Sequence, residues 1–98
     1  MKKEFKLNGK TYEIETKIDF GAVCEMEECG VDLIALAQNK QTFSQIRNLV
    51  SYFTKLDKEE ANEEINAHLE NGGKLGDIFV LFQYIGESDF FQKALAQK

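Results

Sequence analysis

Few residues in this sequence are candidates for a catalytic or ligand-binding role. The first candidates are the glycine-rich residues 70–77. They read ENGGKLGD, in which a lysine lies inside a flexible bend before an apolar run. A phosphate loop of the Walker type needs a glycine, four residues and then Gly-Lys-Ser/Thr, following a buried strand. This stretch lacks that spacing and a preceding strand, and Asp77 would repel a phosphate. We interpret Asn71-Gly72-Gly73 as the break between two helices.

A second candidate is His68 with the carboxylates that precede it. A Ser-His-Asp or Cys-His arrangement would have to use this histidine. It lies one turn after Glu64 near the end of a predicted helix, where we expect it to be half exposed and paired with Glu64 or with the helix dipole. Glu59, Glu60, Glu63 and Glu64 could be metal ligands or an acid–base pair, but acid–base pairs need buried or unlike surroundings, and these four fall on the wetter side of that helix. We predict a solvated face and no enzyme activity.

The two cysteines are the last candidates. Cys24 and Cys29 are five residues apart on a predicted helix, roughly 140° around its axis, so they cannot pair with each other there. A zinc site would need more ligands than these thiols and the distant His68. We predict two reduced, partly buried thiols, no metal and no cofactor.

Composition narrows the possible partners. The chain has 98 residues, 12 basic and 17 acidic side chains and a formal charge of −5, with Arg47 as its one arginine. A basic cluster interleaved with aromatic residues is missing, so nucleic-acid binding is not expected. The longest apolar-rich run, residues 78–85, is too short to span a bilayer. The first residues alternate polar and apolar types, unlike a signal peptide. We expect a cytoplasmic protein that binds no membrane.

The elements that position these residues begin with a hairpin. In FKLNGKTYEI, residues 5–14, apolar side chains alternate with polar ones on both sides of Asn8-Gly9. Asn-Gly accommodates the positive φ angles of a type I′ turn. We predict a β-hairpin over residues 1–16, whose apolar face must pack on the helices that follow.

Five helical segments follow the hairpin. Asp19 can cap the first, about residues 20–29, which ends at Gly30; the second covers about 32–39. The third begins at Thr42 or Ser44, and Asp57 with Glu60 forms a capping-box-like start to the fourth. Two apolar stripes run along the third and fourth helices: Phe43, Ile46, Leu49, Val50, Phe53 and Leu56, then the narrow set Ala61, Ile65 and Leu69. The predicted fold is α+β, mainly α, as a single domain over 1–98, with the hairpin packed on a helical bundle over 19–98.

The last helix, which starts at Leu75, has apolar residues on two sides. One side is a natural core face with Ile78, Leu81, Phe82 and Ile85. The other carries Val80 and Tyr84, and a helix continuing through Gly86 would bring Phe91 and Leu95 into line with them. A small domain can seldom bury both faces of a terminal helix, although a central helix wrapped by the others remains an alternative. Helical geometry therefore predicts Val80, Tyr84, Phe91 and Leu95 as a partner-binding surface.

Several stretches together resemble one family. They are FKLNGKTYEIETKIDFGAVCEMEE, FSQIRNLVSYF, EEANEEINAHLENGGKLGDI and ESDFF. Their order over nearly the whole chain is similar to the small tail assembly chaperones of long-tailed bacteriophages and their prophages, which often open with an Asn-Gly hairpin before a helix. The family's terminal Ser-Gly-Phe-Phe reads Ser88-Asp89-Phe90-Phe91 here, which disfavours a sharp turn at position 89.

The resemblance implies a non-enzymatic role in the host cytoplasm. Such chaperones bind the tape measure protein, a very long helical chain, and keep it soluble until the tail tube polymerises around it. The alternative is a homo-oligomeric phage or prophage adaptor or regulator, in which the second apolar face closes a dimer.

Overall fold

The computed structural model describes residues 2–38, 40 and 42–88 of the chain. Within these residues, an antiparallel two-stranded sheet precedes five α-helices, with a 3₁₀ turn between the last two helices. This arrangement confirms the predicted α+β, mainly-α fold with the hairpin first and the helices after it.

The hairpin consists of β1 (Lys2–Leu7) and β2 (Lys10–Glu15), joined by Asn8 and Gly9. Asn8 has φ 54° and Gly9 has φ 74°. Two consecutive positive φ angles match the right-handed twist of the flanking strands, which is why Asn-Gly is favoured here. The alternation of the sequence places the side chains Phe5, Leu7 and Ile14 in the core, with Tyr12 packed at its edge.

The first two helices are short and begin at acidic caps. In α1 (Phe20–Glu28), the Asp19 carboxylate accepts a hydrogen bond from the backbone N–H of Ala22 at 2.9 Å. Asp32 caps α2 (Leu33–Ala37) in the same way. These caps satisfy backbone donors that have no partner inside the helix.

Helix α3 (Phe43–Thr54) begins at Thr42, whose hydroxyl accepts from the Gln45 N–H at 3.2 Å. Four members of the predicted stripe are buried, namely Ile46, Leu49, Val50 and Phe53. The expectation for Phe43 is wrong, because its side chain is 78% exposed. Side chains on a helix tilt toward the N-terminus, so the side chain of the first helical residue projects past the end of the packed stripe.

Helix α4 (Lys58–Glu70) confirms the predicted capping box. The Asp57 carboxylate accepts from the Glu60 N–H at 2.7 Å, and the Glu60 carboxylate accepts from the Asp57 N–H at 3.1 Å. Its apolar stripe is as narrow as expected. The stripe runs from the fully buried Ala61 through the partly buried Ile65 to Leu69, which is 41% exposed.

The last segment differs from the single helix predicted from Leu75. Leu75–Asp77 forms a 3₁₀ turn, and the α-helix proper, α5 (Val80–Gly86), starts five residues later. The core side chains come from the hairpin, from all five helices and from the segments between them. They are Phe5, Leu7, Ile14, Ile18, Val23, Met26, Val31, Leu33, Ile46, Leu49, Val50, Phe53, Ala61, Ile78, Leu81 and Ile85.

Asn48 is the buried polar residue that joins α3 to the end of α1. Its side-chain N–H donates to the Gly30 carbonyl at 3.1 Å, and its oxygen accepts from the Arg47 guanidinium at 3.0 Å. Cys24 and Cys29 are free and partly buried, as predicted. None of the described helices has the length and apolar character needed to cross a membrane.

Candidate partner-binding surface

The structure places two of the four predicted contact residues. Val80 and Tyr84 lie in α5, whereas Phe91 and Leu95 lie outside the described residues. The condition that one helix carries all four is not met, because α5 ends at Gly86. The Ser88 hydroxyl donates to the Ile85 carbonyl at 2.7 Å, and the Ser88 N–H bonds the same carbonyl at 3.1 Å, which tightens the end of the helix.

The core-facing side of α5 is narrower than predicted. Ile78, just before the helix, and Leu81 are fully buried, and Ile85 is 2% exposed. Phe82, which the sequence assigns to the same face, is only partly buried and packs at the margin of the core. It lies one position past Leu81, so the 100° rotation per residue carries its ring to the flank of the helix.

Val80 and Tyr84 form the first flank of α5. Both are partly buried against the core, so neither is sealed inside the protein or fully exposed. The Lys3 ammonium of β1 lies 4.9 Å from the centroid of the Tyr84 ring, a cation–π distance. The hairpin therefore covers part of this flank, and a partner at Tyr84 would meet a lysine beside an aromatic ring.

Phe79 and Phe82 form a second flank, which the sequence reasoning missed. Phe79 is 42% exposed, and its ring packs edge-to-face on Phe82 with centroids 5.8 Å apart. The signal was available, because two aromatic residues three apart share one side of a helix. Because the sequence analysis assigned Phe82 to the core face, it did not pair Phe79 with Phe82.

A polar junction of Asn8, Lys10, Glu64, His68 and Asp77 contrasts with these apolar flanks. It joins the hairpin turn to α4 and to the 3₁₀ turn. Glu64 accepts from the Lys10 ammonium at 2.9 Å and from the Asn8 side-chain amide at 3.2 Å. The backbone N–H of Asn8 donates to His68 Nδ1 at 2.9 Å, and His68 Nε2 is 2.9 Å from Asp77 Oδ2.

His68 lies in the last turn of α4, as expected, but its predicted exposure and its predicted pairing with Glu64 are wrong. Its side chain is 13% exposed rather than half exposed, and the hydrogen bonds of its ring go to Asn8 and Asp77 instead of Glu64. The contact with Asn8 joins residues sixty positions apart in the chain. Helical periodicity reports only neighbours within one element, so it could not reveal this packing.

Charge and hydrogen bonding perturb the junction carboxylates. The pKa of Glu64 lies below its ordinary value because of the hydrogen bond from Lys10 and then that from Asn8. The same contact with Glu64 raises the pKa of Lys10. The pKa of Asp77 is lowered by the backbone N–H of Lys74, 3.0 Å away, and then by His68. Each carboxylate is therefore held in its charged form.

The junction geometry also bears on catalysis. Both ring nitrogens of His68 have protein partners, the Asn8 N–H and the Asp77 carboxylate. Glu59, Glu60 and Glu63 are exposed on α4, whereas the expectation for Glu64 is wrong, because its side chain is only 19% exposed and accepts from Lys10 and Asn8 of the hairpin. Among residues 2–38, 40 and 42–88, no group of three or more His, Cys, Asp or Glu side chains is arranged to hold a metal ion.

The glycine-rich bend has the predicted role as a helix break. Helix α4 ends at Glu70, Asn71 is its C-cap, and Gly72 has φ 92°. Gly73 has a further role: a Cβ atom there would collide with the His68 ring. The bend thus ends α4 and leaves room for the histidine.

Comparison of the chain with models of known protein families, with curated proteins and with solved structures found no similar protein.

Proposed function

We propose that this protein is a tail assembly chaperone of a long-tailed phage or prophage, which binds the helical tape measure protein and keeps it soluble during tail assembly. The observation that carries the proposal is the apolar surface of α5 that the rest of the fold leaves partly exposed. That surface comprises Val80 and Tyr84 on one flank and Phe79 and Phe82 on the other. The resemblance of the sequence to this chaperone family supports the same function.

A helical client suits this surface. A tape measure protein would present an apolar stripe, and two helices pack when such stripes meet along a groove. Full burial of one large apolar side chain contributes roughly 1.5–3 kcal/mol, and side chains that are already partly buried contribute less. The costs of association reduce this sum further. The expected result is a specific but reversible contact, as a chaperone that must release its client requires.

The acidic side of α4 would serve solubility. Glu59, Glu60 and Glu63 are exposed there, on a chain with a formal charge of −5. Charge of one sign on the outside of a complex opposes association between complexes. A client coated by this protein would therefore present carboxylates to the solvent in place of its own apolar stripe.

The partner-binding assignment covers Val80, Tyr84, Phe91 and Leu95. The first two have the partial exposure that a docking surface requires. The last two stay predictions from the sequence. Single substitutions at Phe91 and at Leu95 separate their contribution to client binding from that of Val80 and Tyr84.

Co-expression with the phage's tape measure protein tests the proposal. Wild type is expected to bring this client into the soluble fraction, whereas Tyr84→Glu/Phe91→Glu is expected to leave it insoluble, because buried carboxylates oppose an apolar contact. Thr11→Glu/Asn62→Glu is the matched control, since both positions are exposed and lie outside α5. If the double variant retains wild-type circular dichroism and still solubilises the client, the surface assignment is wrong.

The same flanks would also suit a second copy of the chain, as in a homo-oligomeric adaptor or regulator. Light scattering separates the two functions. A concentration-independent dimer that loses its contact in the Tyr84→Glu variant, together with no effect on client solubility, would replace the chaperone proposal. A monomer that forms a complex only with the client would support it.

A further inference from the structure

The His68 ring joins three separate segments of the chain. Its Nδ1 accepts the backbone N–H of Asn8, at the tip of the hairpin, and its Nε2 contacts the Asp77 carboxylate in the 3₁₀ turn. A backbone N–H can only donate, so Nδ1 must be an acceptor. The hydrogen of the neutral ring is therefore on Nε2, which donates to Asp77.

The charged groups around the ring come from every element packed there. Glu64 lies one turn earlier on α4, Lys10 comes from the hairpin, and Asp77 and Lys74 come from the turn after α4. Lys10 and Glu64 bond each other at 2.9 Å, while Lys74 contributes its backbone N–H to Asp77. Asp77 is thus the carboxylate in direct contact with the ring.

Protonation of His68 would affect its two contacts in opposite directions. A hydrogen on Nδ1 would face the Asn8 N–H, so an attractive contact between donor and acceptor becomes a repulsive one between two donors. At Nε2, the bond to Asp77 would become an ion pair and strengthen. The loss of the contact with Asn8 and the gain at Asp77 partly cancel in the free energy of unfolding. Hydrogen exchange of the Asn8 amide therefore reports the protonation of His68 more clearly than the overall stability does.

We propose that His68 is a proton-sensitive latch: in its neutral form it holds the hairpin tip on α4, and when protonated it releases Asn8 while remaining bound to Asp77. Acid therefore loosens one end of the hairpin without unfolding the core. The latch does not depend on what the α5 surface binds.

Amide hydrogen exchange tests the latch in the full chain. The Asn8 amide is expected to exchange about five- to tenfold faster, relative to its intrinsic rate, once His68 is protonated, as loss of one hydrogen bond predicts. The change should follow protonation of the His68 ring, which the NMR chemical shift of its Cε1 proton reports as the pH is lowered. The Gln45 amide is the control, since its partner, the Thr42 hydroxyl, keeps the same protonation throughout the measurement.

Two variants separate the ring nitrogens. His68→Asn places an acceptor near the position of Nδ1 and does not titrate, so Asn8 should stay protected at both ends of the pH range. His68→Gln keeps a donor near Nε2 but lacks the Nδ1 acceptor, so Asn8 should exchange rapidly at both ends.

The wild-type measurement decides the proposal even if a variant does not fold. Asn8 protection that is unchanged when His68 titrates would overturn the latch. Equal acceleration at Asn8 and Gln45 would also overturn it, because that result indicates general loosening of the protein.

Discussion

The junction around His68 and the surface of α5 hold neighbouring parts of the protein by different physical means. At the junction, Asn8, Glu64, His68 and Asp77 each contact a defined atom at hydrogen-bonding distance. On α5, by contrast, the side chains make apolar contacts whose strength depends on the area buried, and the flanks keep part of their surface exposed. The junction is therefore suited to hold one geometry, and the α5 flanks are suited to exchange one apolar neighbour for another.

This difference follows from directionality. A hydrogen bond weakens steeply when its angle or distance changes, so a polar junction tolerates few arrangements. Apolar burial is non-directional and scales with area. The proposed role of the α5 surface, to accept a helical client and later release it, would use the second kind of contact.

The largest expected effect on stability distinguishes the buried side of α5, which carries Leu81, from its partly buried flank, which carries Val80. Leu81→Ala should lower the free energy of unfolding by about 2–5 kcal/mol, because it leaves a cavity at a fully buried position. Val80→Ala, on the partly buried flank, should cost about 1 kcal/mol. Urea unfolding followed by circular dichroism measures both. Equal losses would make Val80 a core residue and remove it from the proposed surface.

The next effect concerns how tightly the junction is packed. Gly73→Ala should lower the free energy of unfolding by about 1–3 kcal/mol, because the new methyl group collides with the His68 ring. Gly76→Ala is the matched control, since a Cβ there meets no atom of the described residues within 4 Å. Thermal and urea unfolding should show Gly73→Ala to be less stable than Gly76→Ala. If the two variants are equally stable, the ring does not pack on Gly73.

Acid should weaken the junction through its carboxylates. The pKa values of Glu64 and Asp77 lie below their ordinary values of 4.5 and 3.8, so the folded protein binds these protons more weakly than the unfolded chain. Their contribution is fully present above those ordinary values and is lost as the pH falls through the lowered, folded-state pKa values. The unfolding free energy should therefore fall with pH in the acid range.

The Glu64→Gln variant sharpens this pH test. It should reduce the acid slope of the unfolding free energy, because one of the two shifted carboxylates is gone. Glu59→Gln, at an exposed position on the same helix, controls for loss of a charge. Identical slopes for wild type and Glu64→Gln would show that the contact with Lys10 does not affect stability.

The smallest effect concerns the lysine beside the α5 flank. Lys3→Gln should cost about 0.5 kcal/mol through loss of the contact with the Tyr84 ring. Lys6→Gln, at an exposed position on the same strand, removes the same charge without that contact. A double-mutant cycle with Tyr84→Leu measures the coupling. A coupling energy of zero would mean that the hairpin does not shield this flank.

Local signals in the sequence predicted much of the fold. Asn8-Gly9 indicated the hairpin, and Asp57 with Glu60 indicated the start of α4. In each case the residues that carry the signal also make the interaction, within four positions of each other. The same reasoning left the end of the last helix open, since Gly86 is compatible with both a continuing helix and a terminating one, and it placed the start at Leu75, where the structure has a 3₁₀ turn before α5.

The candidate surface was predictable only in part. Two apolar sides of the last helix follow from its periodicity, and Val80 and Tyr84 do lie away from the Leu81 side. The exposure of Phe79 depends on which parts of the fold leave it uncovered, and the position of Lys3 over Tyr84 depends on where the hairpin packs. No periodicity within one helix contains that information.

The sequence by itself determined the hairpin turn, the helix caps and the apolar stripes, because these depend on backbone preferences and on neighbours within a few residues. Only the tertiary structure decided that His68 bonds the turn at Asn8, that Gly73 makes room for its ring, and that Phe79 and Phe82 stay at the surface. The physical reason is that each of these features requires segments distant in the chain to meet, or to leave an area uncovered, and that outcome is set by how the whole core packs.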